Sequence, residues 1–165
     1  MRLGRPDMFR GSFQCKLDAK GRLKLPSPCR KSFESGQKAS LVITNSQYQQ
    51  KRCLDVYMLP EWEELELRIS RLSSFDPAVQ MYQRFYLSCG QKVEMDAQGR
   101  FVIPSSLRKF AELEESVVLV GMQNKFEIWS EKSWNELHQN MANVFEQSLK
   151  VIGELTEKKK EIGLA

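Results

Sequence analysis

The 165-residue chain has a single histidine, His138, and its four cysteines include no CxxC pair. A hydrolase needs a base with an orienting group, and metal catalysis needs clustered ligands. His138 has no serine or cysteine motif beside it, and the acidic residues are scattered or lie along helix faces such as Glu61, Glu63 and Glu64. Nothing in the sequence assembles an active site, so neither enzyme activity nor a metal or cofactor is expected. Apolar runs near 18 residues are missing as well, and the first residues, MRLGRPDMFRGSF, have no apolar central segment. The expectation is therefore a soluble cytoplasmic protein with no membrane partner.

What the chain does contain is an echo of itself. Residues 18–34, DAKGRLKLPSPCRKSFE, return as DAQGRFVIPSSLRKFAE at 96–112, with nine identities in seventeen. LDVYMLPEWEEL at 54–65 reads in the same way onto FEIWSEKSWNEL at 126–137. A repeated motif normally marks a repeated structural unit, and two units this small are best stabilised by sharing one core. Cys15 and Cys29 align with Val93 and Leu107, so these cysteines read as reduced thiols filling apolar space.

Each copy is read as a short strand (Gln14 to Leu17, Lys92 to Met95), an Asp-x-x-Gly-Arg turn, and a second strand (Arg22 to Leu25, Arg100 to Ile103). Asp18 and Asp96 suit the first turn position because a carboxylate can accept from the turn's own amides, and Gly21 and Gly99 can supply the left-handed residue. Pro26 and Pro104 stop the strands. Ser27 or Ser105 then caps a short helix. The apolar strands Leu41–Thr44 and Val117–Gly121 follow and pair with Cys53–Leu59 and Phe126–Trp129, across a long loop in the first copy (Asn45–Arg52) and a tight one in the second. The connector is helical, with Trp62, Leu65, Ile69 and Leu72 at helical spacing and Asp76-Pro77 starting a second helix. An apolar stripe over residues 131–162 makes a terminal helix that packs within its own subunit or on a neighbour. The fold class is α+β: an N-terminal extension (1–11), a first repeat (12–59), a helical connector (60–89), a second repeat (90–133) and a C-terminal helix (134–165).

The net charge is +4, but residues 1–31 carry nine Lys and Arg against Asp7 and Asp18. The rest of the chain is net acidic. Such asymmetry points to a polyanion-binding face. Each copy reads as a hairpin, and in the first, with a three-residue loop at 19–21 closed by Asp18 and Arg22, Lys16 stands opposite Lys24 on the face of Arg22, and Lys20 sits at the tip. Like charges directly opposite are unfavourable unless an anion covers them. The functional reading is a β-ribbon in which Arg22, Lys16, Lys20 and Lys24 touch double-stranded DNA. Asp18, Gly21, Asp96, Gly99 and Arg100 read as turn-structuring residues. The second copy carries Glu94, Gln98, Arg100 and Val102 where the first is basic, so the copies are expected to be unequal. Arg30 and Lys31 recur as Arg108 and Lys109, which suits a shared structural role on the short helix at least as well as a DNA contact. A rival reading is an oligomeric protein-interaction scaffold with incidental DNA binding.

The segments MFRGSFQCKLDAKGRLKLPSPCRK, LPEWEELELRISRLSSFDP and DAQGRFVIPSSLRKFAELEESVVLVGMQNKFEIWSEKSW together resemble the MraZ family of bacterial transcriptional regulators. The resemblance runs from about residue 8 to 137. It implies two tandem AbrB-like swapped-hairpin repeats interlocked into one pseudo-symmetric β-barrel, and a ring-shaped homo-oligomer associated with the nucleoid. It also implies binding to short direct repeats upstream of the division and cell-wall gene cluster, its own promoter included, usually as a repressor. The family's DNA-contacting arginine falls on Arg22, with Asp18 its turn partner, and Asp96 and Arg100 match the second D-x-x-x-R. Relative to the family, Met1–Asp7 reads as an extension.

Overall fold

Strand pairing in this chain crosses between its two similar halves. The computed structural model describes residues 9–30 and 39–161. The expected Met1–Asp7 extension and Lys31 lie outside them. The first half contributes β1 (Ser12–Lys16), β2 (Arg22–Lys24), α1 (Ser27–Arg30), β3 (Ser40–Tyr48) and β4 (Lys51–Met58). The connector holds α2 (Leu59–Ser70) and α3 (Pro77–Tyr82), which continues as a π-helical turn, Gln83–Leu87. The second half supplies β5 (Gln91–Glu94), β6 (Arg100–Val102), α4 (Ser105–Phe110), β7 (Ser116–Gly121) and β8 (Lys125–Ser130), and α5 (Glu131–Glu161) follows. The chain divides into two compact units, Met1–Glu131 and Lys132–Ala165.

Six strands form an antiparallel sheet in the order β1-β7-β8-β4-β3-β5, and β2 pairs separately with β6. The local hairpin expected between β1 and β2 is therefore not formed. β1 lies along β7, with Lys16 opposite Ser116, and β5 lies along β3, with Glu94 opposite Ser40. Only the closing pair of each hairpin survives, in the bonds Asp18 N–H to Arg22 O (3.1 Å) and Asp96 N–H to Arg100 O (2.8 Å). The reason is burial. β7 carries the run Val117–Val120, which is buried throughout, and an edge position beside it shields more apolar surface than a three-residue partner could. The architecture is mixed α+β with an antiparallel sheet. Its described strands form an open order with β1 and β5 at the edges, while β2 and β6 form a separate two-stranded sheet and proline follows each of them within two residues.

Both halves feed one core. Leu17, Leu23, Leu25 and Cys29 lie in the same cluster as Met95, Phe101, Ile103 and Leu107, each exactly aligned counterpart being 78 positions on. Cys15 and Val93 pack against its margin, and all four cysteines are free. Filling of this core by β3, β4, β7 and β8 follows their alternation: Leu41, Ile43, Leu54, Val56, Leu119, Phe126 and Ile128 point inward. Ahead of β1, Phe9 stacks on Phe126 with ring centroids 3.9 Å apart, and its backbone exchanges two hydrogen bonds with Gln123.

Two local expectations are corrected. The segment Asn45–Arg52 is not a long loop: β3 and β4 stay paired to Tyr48 opposite Lys51, turning on Gln49 and Gln50. Both glutamines are left-handed, with φ of 47° and 64°, the geometry of a primed two-residue turn without its usual glycine or asparagine. Ser105 is the first residue of α4 and not its cap; Pro104 holds that position, with no side-chain cap bond. The α3 start does carry a cap, since Asp76 accepts from Ala78 N–H at 2.8 Å. No helix among the described residues is long and apolar enough to cross a membrane.

The connector seats on the other sheet face through Val42, Tyr57, Trp62 and Tyr86. Beneath it lies a buried polar network invisible to sequence patterning. Asp55, 1% exposed, pairs with Lys125 at 2.7 Å and accepts from the Tyr86 hydroxyl, which in turn accepts from Tyr57 at 2.9 Å. Glu127 stands directly across the strands from Asp55, and the Trp129 indole donates to it at 2.8 Å. Burial pushes the Glu127 carboxyl above its ordinary value. Burial would pull Lys125 down, but the Asp55 charge and hydrogen bond hold it above the usual lysine value. The π-helical turn carries Tyr86, whose hydroxyl reaches this pair.

In the second unit, α5 runs 31 residues, about 46 Å at 1.5 Å per residue. Lys158, Lys159 and Lys160 close its last turns, where cations complement the helix dipole.

Candidate nucleic-acid interface

Each Asp-x-x-Gly-Arg turn is a self-contained hydrogen-bonded unit. Asp18 Oδ1 accepts from the backbone of Lys20 (2.9 Å) and Arg22 (3.0 Å), while Oδ2 accepts from Arg22 Nε at 2.6 Å. Asp96 repeats this with Gln98 N–H and Arg100 N–H, both at 2.9 Å, and Arg100 Nε at 2.8 Å. Hydrogen bonds from the arginine backbone, ahead of the guanidinium contact, hold both carboxyls below the usual aspartate range. The aspartates thus stay ionised at neutral pH and fix the near side of each guanidinium. In the second turn Arg100 Nη2 also donates to Gln98 Oε1 at 3.3 Å.

The turns lock into each other's halves. Gly21 and Gly99 are left-handed, with φ of 74° and 76°, and a Cβ on either would lie 2.4 Å from the guanidinium carbon of Arg108 or Cδ of Arg30 respectively. Leu25 N–H bonds to Gly99 O and Ile103 N–H to Gly21 O, both at 2.9 Å. Arg30 and Arg108 therefore brace the opposite turn, and Arg108 Nε also donates to Ile103 O at 3.0 Å. Gly21→Ala combines a left-handed backbone with a collision and is expected to cost at least about 1–2 kcal/mol. Urea unfolding of this variant, alone and with Arg108→Ala, checks the assignment: the second change should recover only the collision.

Between the turns, β2 and β6 pair in the register Arg22–Val102, Leu23–Phe101 and Lys24–Arg100. Leu23 and Phe101 are buried. Alternation then puts Arg22, Lys24, Arg100 and Val102 on the opposite, outward face. Three cations and one apolar side chain occupy four adjoining positions, and Lys24 lies directly opposite Arg100. That like-charge pair is unfavourable alone, and an anion above it would relieve it.

The sequence-predicted residues are thus redistributed. Arg22 and Lys24 share the ribbon. Lys20 belongs to the first turn, while Lys16 lies on β1 beside β7 and pairs with Glu115 at 3.2 Å, both side chains more than 70% exposed. Lys16 does not face Lys24. In its place stands Arg100, which sequence reasoning treated as a turn residue of the copy that lacks the first copy's basic face. The signal was present in the shared alternation Arg-Leu-Lys and Arg-Phe-Val, but only the pairing of β2 with β6 merges the two faces. Among the described residues, no group of three His, Cys, Asp or Glu side chains is placed to hold a metal ion.

Fold and site define an α+β protein that displays a cationic β-ribbon on two braced Asp–Arg turns, a surface suited to a polyanion. The chain belongs to the MraZ family. It matches the family described as "MraZ protein, putative antitoxin-like" over residues 8–85 and 87–152. A relative from Pseudoalteromonas atlantica, named Transcriptional regulator MraZ, is 40% identical over 158 residues, covering 95% of this chain and all of that protein. Proteins of the same name from Acidithiobacillus ferrooxidans and Yersinia pestis are 42% and 43% identical, over 78% and 77% of this chain and 86% and 82% of their own lengths.

Proposed function

We propose that this chain is a DNA-binding transcriptional regulator that sets the outward face of the β2–β6 ribbon into the major groove. The observation that carries the reading is the composite face, where Arg22, Lys24 and Arg100 converge from both halves over a buried Leu23–Phe101 layer. A two-stranded ribbon fits the major groove, and arginine is the usual reader of guanine edges. The names of the relatives support the same class. In the finer reading, the two halves are AbrB-like swapped-hairpin repeats interlocked as one barrel-like body. The strand order supports it, since exchanging β1 with β5, β3 with β7 and β4 with β8 returns the same order reversed. The regulator represses from short direct repeats upstream of the division and cell-wall genes and of its own gene, as a ring of identical subunits in the cytoplasm and nucleoid.

One ribbon whose outward face carries Arg22, Lys24 and Arg100 binds weakly at physiological salt, so adjacent subunits must act together. A head-to-tail ring calls for direct repeats spaced near one helical turn, about 10 base pairs. Inserting about 5 base pairs between repeats is expected to lower affinity at least tenfold in a mobility-shift titration. Unchanged affinity would remove the ring mechanism, and no preference for promoter DNA over random duplex would remove the regulator itself.

The scaffold reading draws on a different observation, the exposure of Val144, Phe145, Leu149, Ile152 and Leu155 along α5. It leaves the opposed cations of the ribbon unexplained.

A further inference from the structure

Val102 is the one apolar member of the ribbon's outward face. It sits directly opposite Arg22, and 46% of it is exposed. Its neighbours on that face are Lys24 and Arg100, and the layer behind it is already filled by Leu23 and Phe101. Its isopropyl group therefore adds little to the core. The aligned position in the first half is Lys24, so the two halves offer different chemistry at matching places on one ribbon.

We propose that Val102 is a specificity-determining residue that packs on the 5-methyl group of a thymine, close to the base pair read by Arg22. The inference rests on the DNA-binding reading above. In the major groove the thymine methyl is the one apolar feature a base pair presents, and apolar side chains read it by contact. Directly opposed residues of an antiparallel pair have Cβ atoms about 4.5–5.5 Å apart. Bases along a strand are spaced about 3.4 Å. An arginine and a valine held side by side thus address the same or neighbouring base pairs. Lysine at position 102 would lose the contact and oppose Arg22 with a like charge, whereas valine avoids both. Val102 makes the ribbon asymmetric, which orients the protein on a direct repeat.

The test uses the full chain and a duplex carrying the DNA immediately upstream of its own gene, with deoxyuridine replacing each thymine in turn. Wild-type affinity, read by fluorescence anisotropy, should drop about fourfold at one thymine per repeat, the cost of one methyl group left in water. Val102→Ala should show that loss on unmodified DNA and no further loss at that deoxyuridine. Val102→Thr, which is nearly isosteric and equally suited to a strand, should keep part of the sensitivity, and circular dichroism confirms that both variants are folded. The proposal is overturned if Val102→Ala binds unmodified DNA as the wild type does, if it stays equally sensitive to deoxyuridine, or if no single thymine matters. In each case specific binding of the wild type would leave the DNA-binding reading standing. A wild type that does not distinguish this duplex from random DNA overturns both.

Discussion

Alanine at Arg22 is expected to weaken binding to promoter DNA by about 1–3 kcal/mol, and alanine at Arg100 by a comparable amount. The second half of that expectation comes from the ribbon. Arg22 and Arg100 stand on the diagonal of one four-residue face, each with its Nε held by an aspartate of its own turn. Anchoring one side of a guanidinium reduces the entropy lost when the other side engages a base, so truncation removes a prepared group. Lys24→Ala should act differently, lowering affinity for all duplexes and reducing the salt dependence by about one counterion. Lys16→Ala should do little, because Lys16 is on β1 and not on the ribbon. Arg22→Lys separates charge from geometry, since lysine keeps the cation and loses the fork. Affinity titrations at several salt concentrations, with circular dichroism to confirm folding, check all five. A protein in which Arg100→Ala binds like the wild type would confine recognition to the first half.

The largest loss of stability is expected from Lys125→Ala, about 3–5 kcal/mol. Asp55 is buried, and one of its oxygens, Oδ1, has no hydrogen-bond partner, so Lys125 supplies the charge that makes its burial tolerable. Removing the lysine leaves Asp55 and Glu127 as adjoining acidic groups on neighbouring strands. Replacing the pair together, as Asp55→Leu with Lys125→Met, should cost much less, because an apolar pair of similar volume needs no compensation. Tyr86 would lose its acceptor only in the double variant, which sets a floor of about 1–3 kcal/mol on that variant's cost. Urea unfolding of the single and double variants measures the difference. Equal losses would mean that the ion pair is not what holds Asp55 in place.

The turns were the most legible part of the chain because their physics is local. Five residues of Asp-x-x-Gly-Arg contain the carboxylate, the amides it captures and the left-handed glycine, so no distant partner is needed to close the loop. Strand alternation was legible for the same reason: Leu23 and Phe101 had to face one way and Arg22 and Arg100 the other. The β3–β4 tip was misread because Gln49 and Gln50 carry no turn signal, yet sixteen flanking residues of paired strand hold them left-handed. Asp55 gave no warning either, since an aspartate within an alternating strand reads as solvent-facing until a covering element is known.

The sequence by itself determined the internal echo, the two turns, the helical connector with its Asp76 cap and the basic excess at the front of the chain, all products of contacts within a few residues. Beyond the β3–β4 and β7–β8 hairpins, tertiary structure alone decided which strands meet. Backbone hydrogen bonds are the same for every pairing, so the choice falls to whichever arrangement buries the most apolar surface, and here that sends β1 to β7, β5 to β3 and β2 to β6. That choice separated Lys16 from Lys24, set Arg100 and Val102 beside Arg22, and enclosed Asp55 with Lys125.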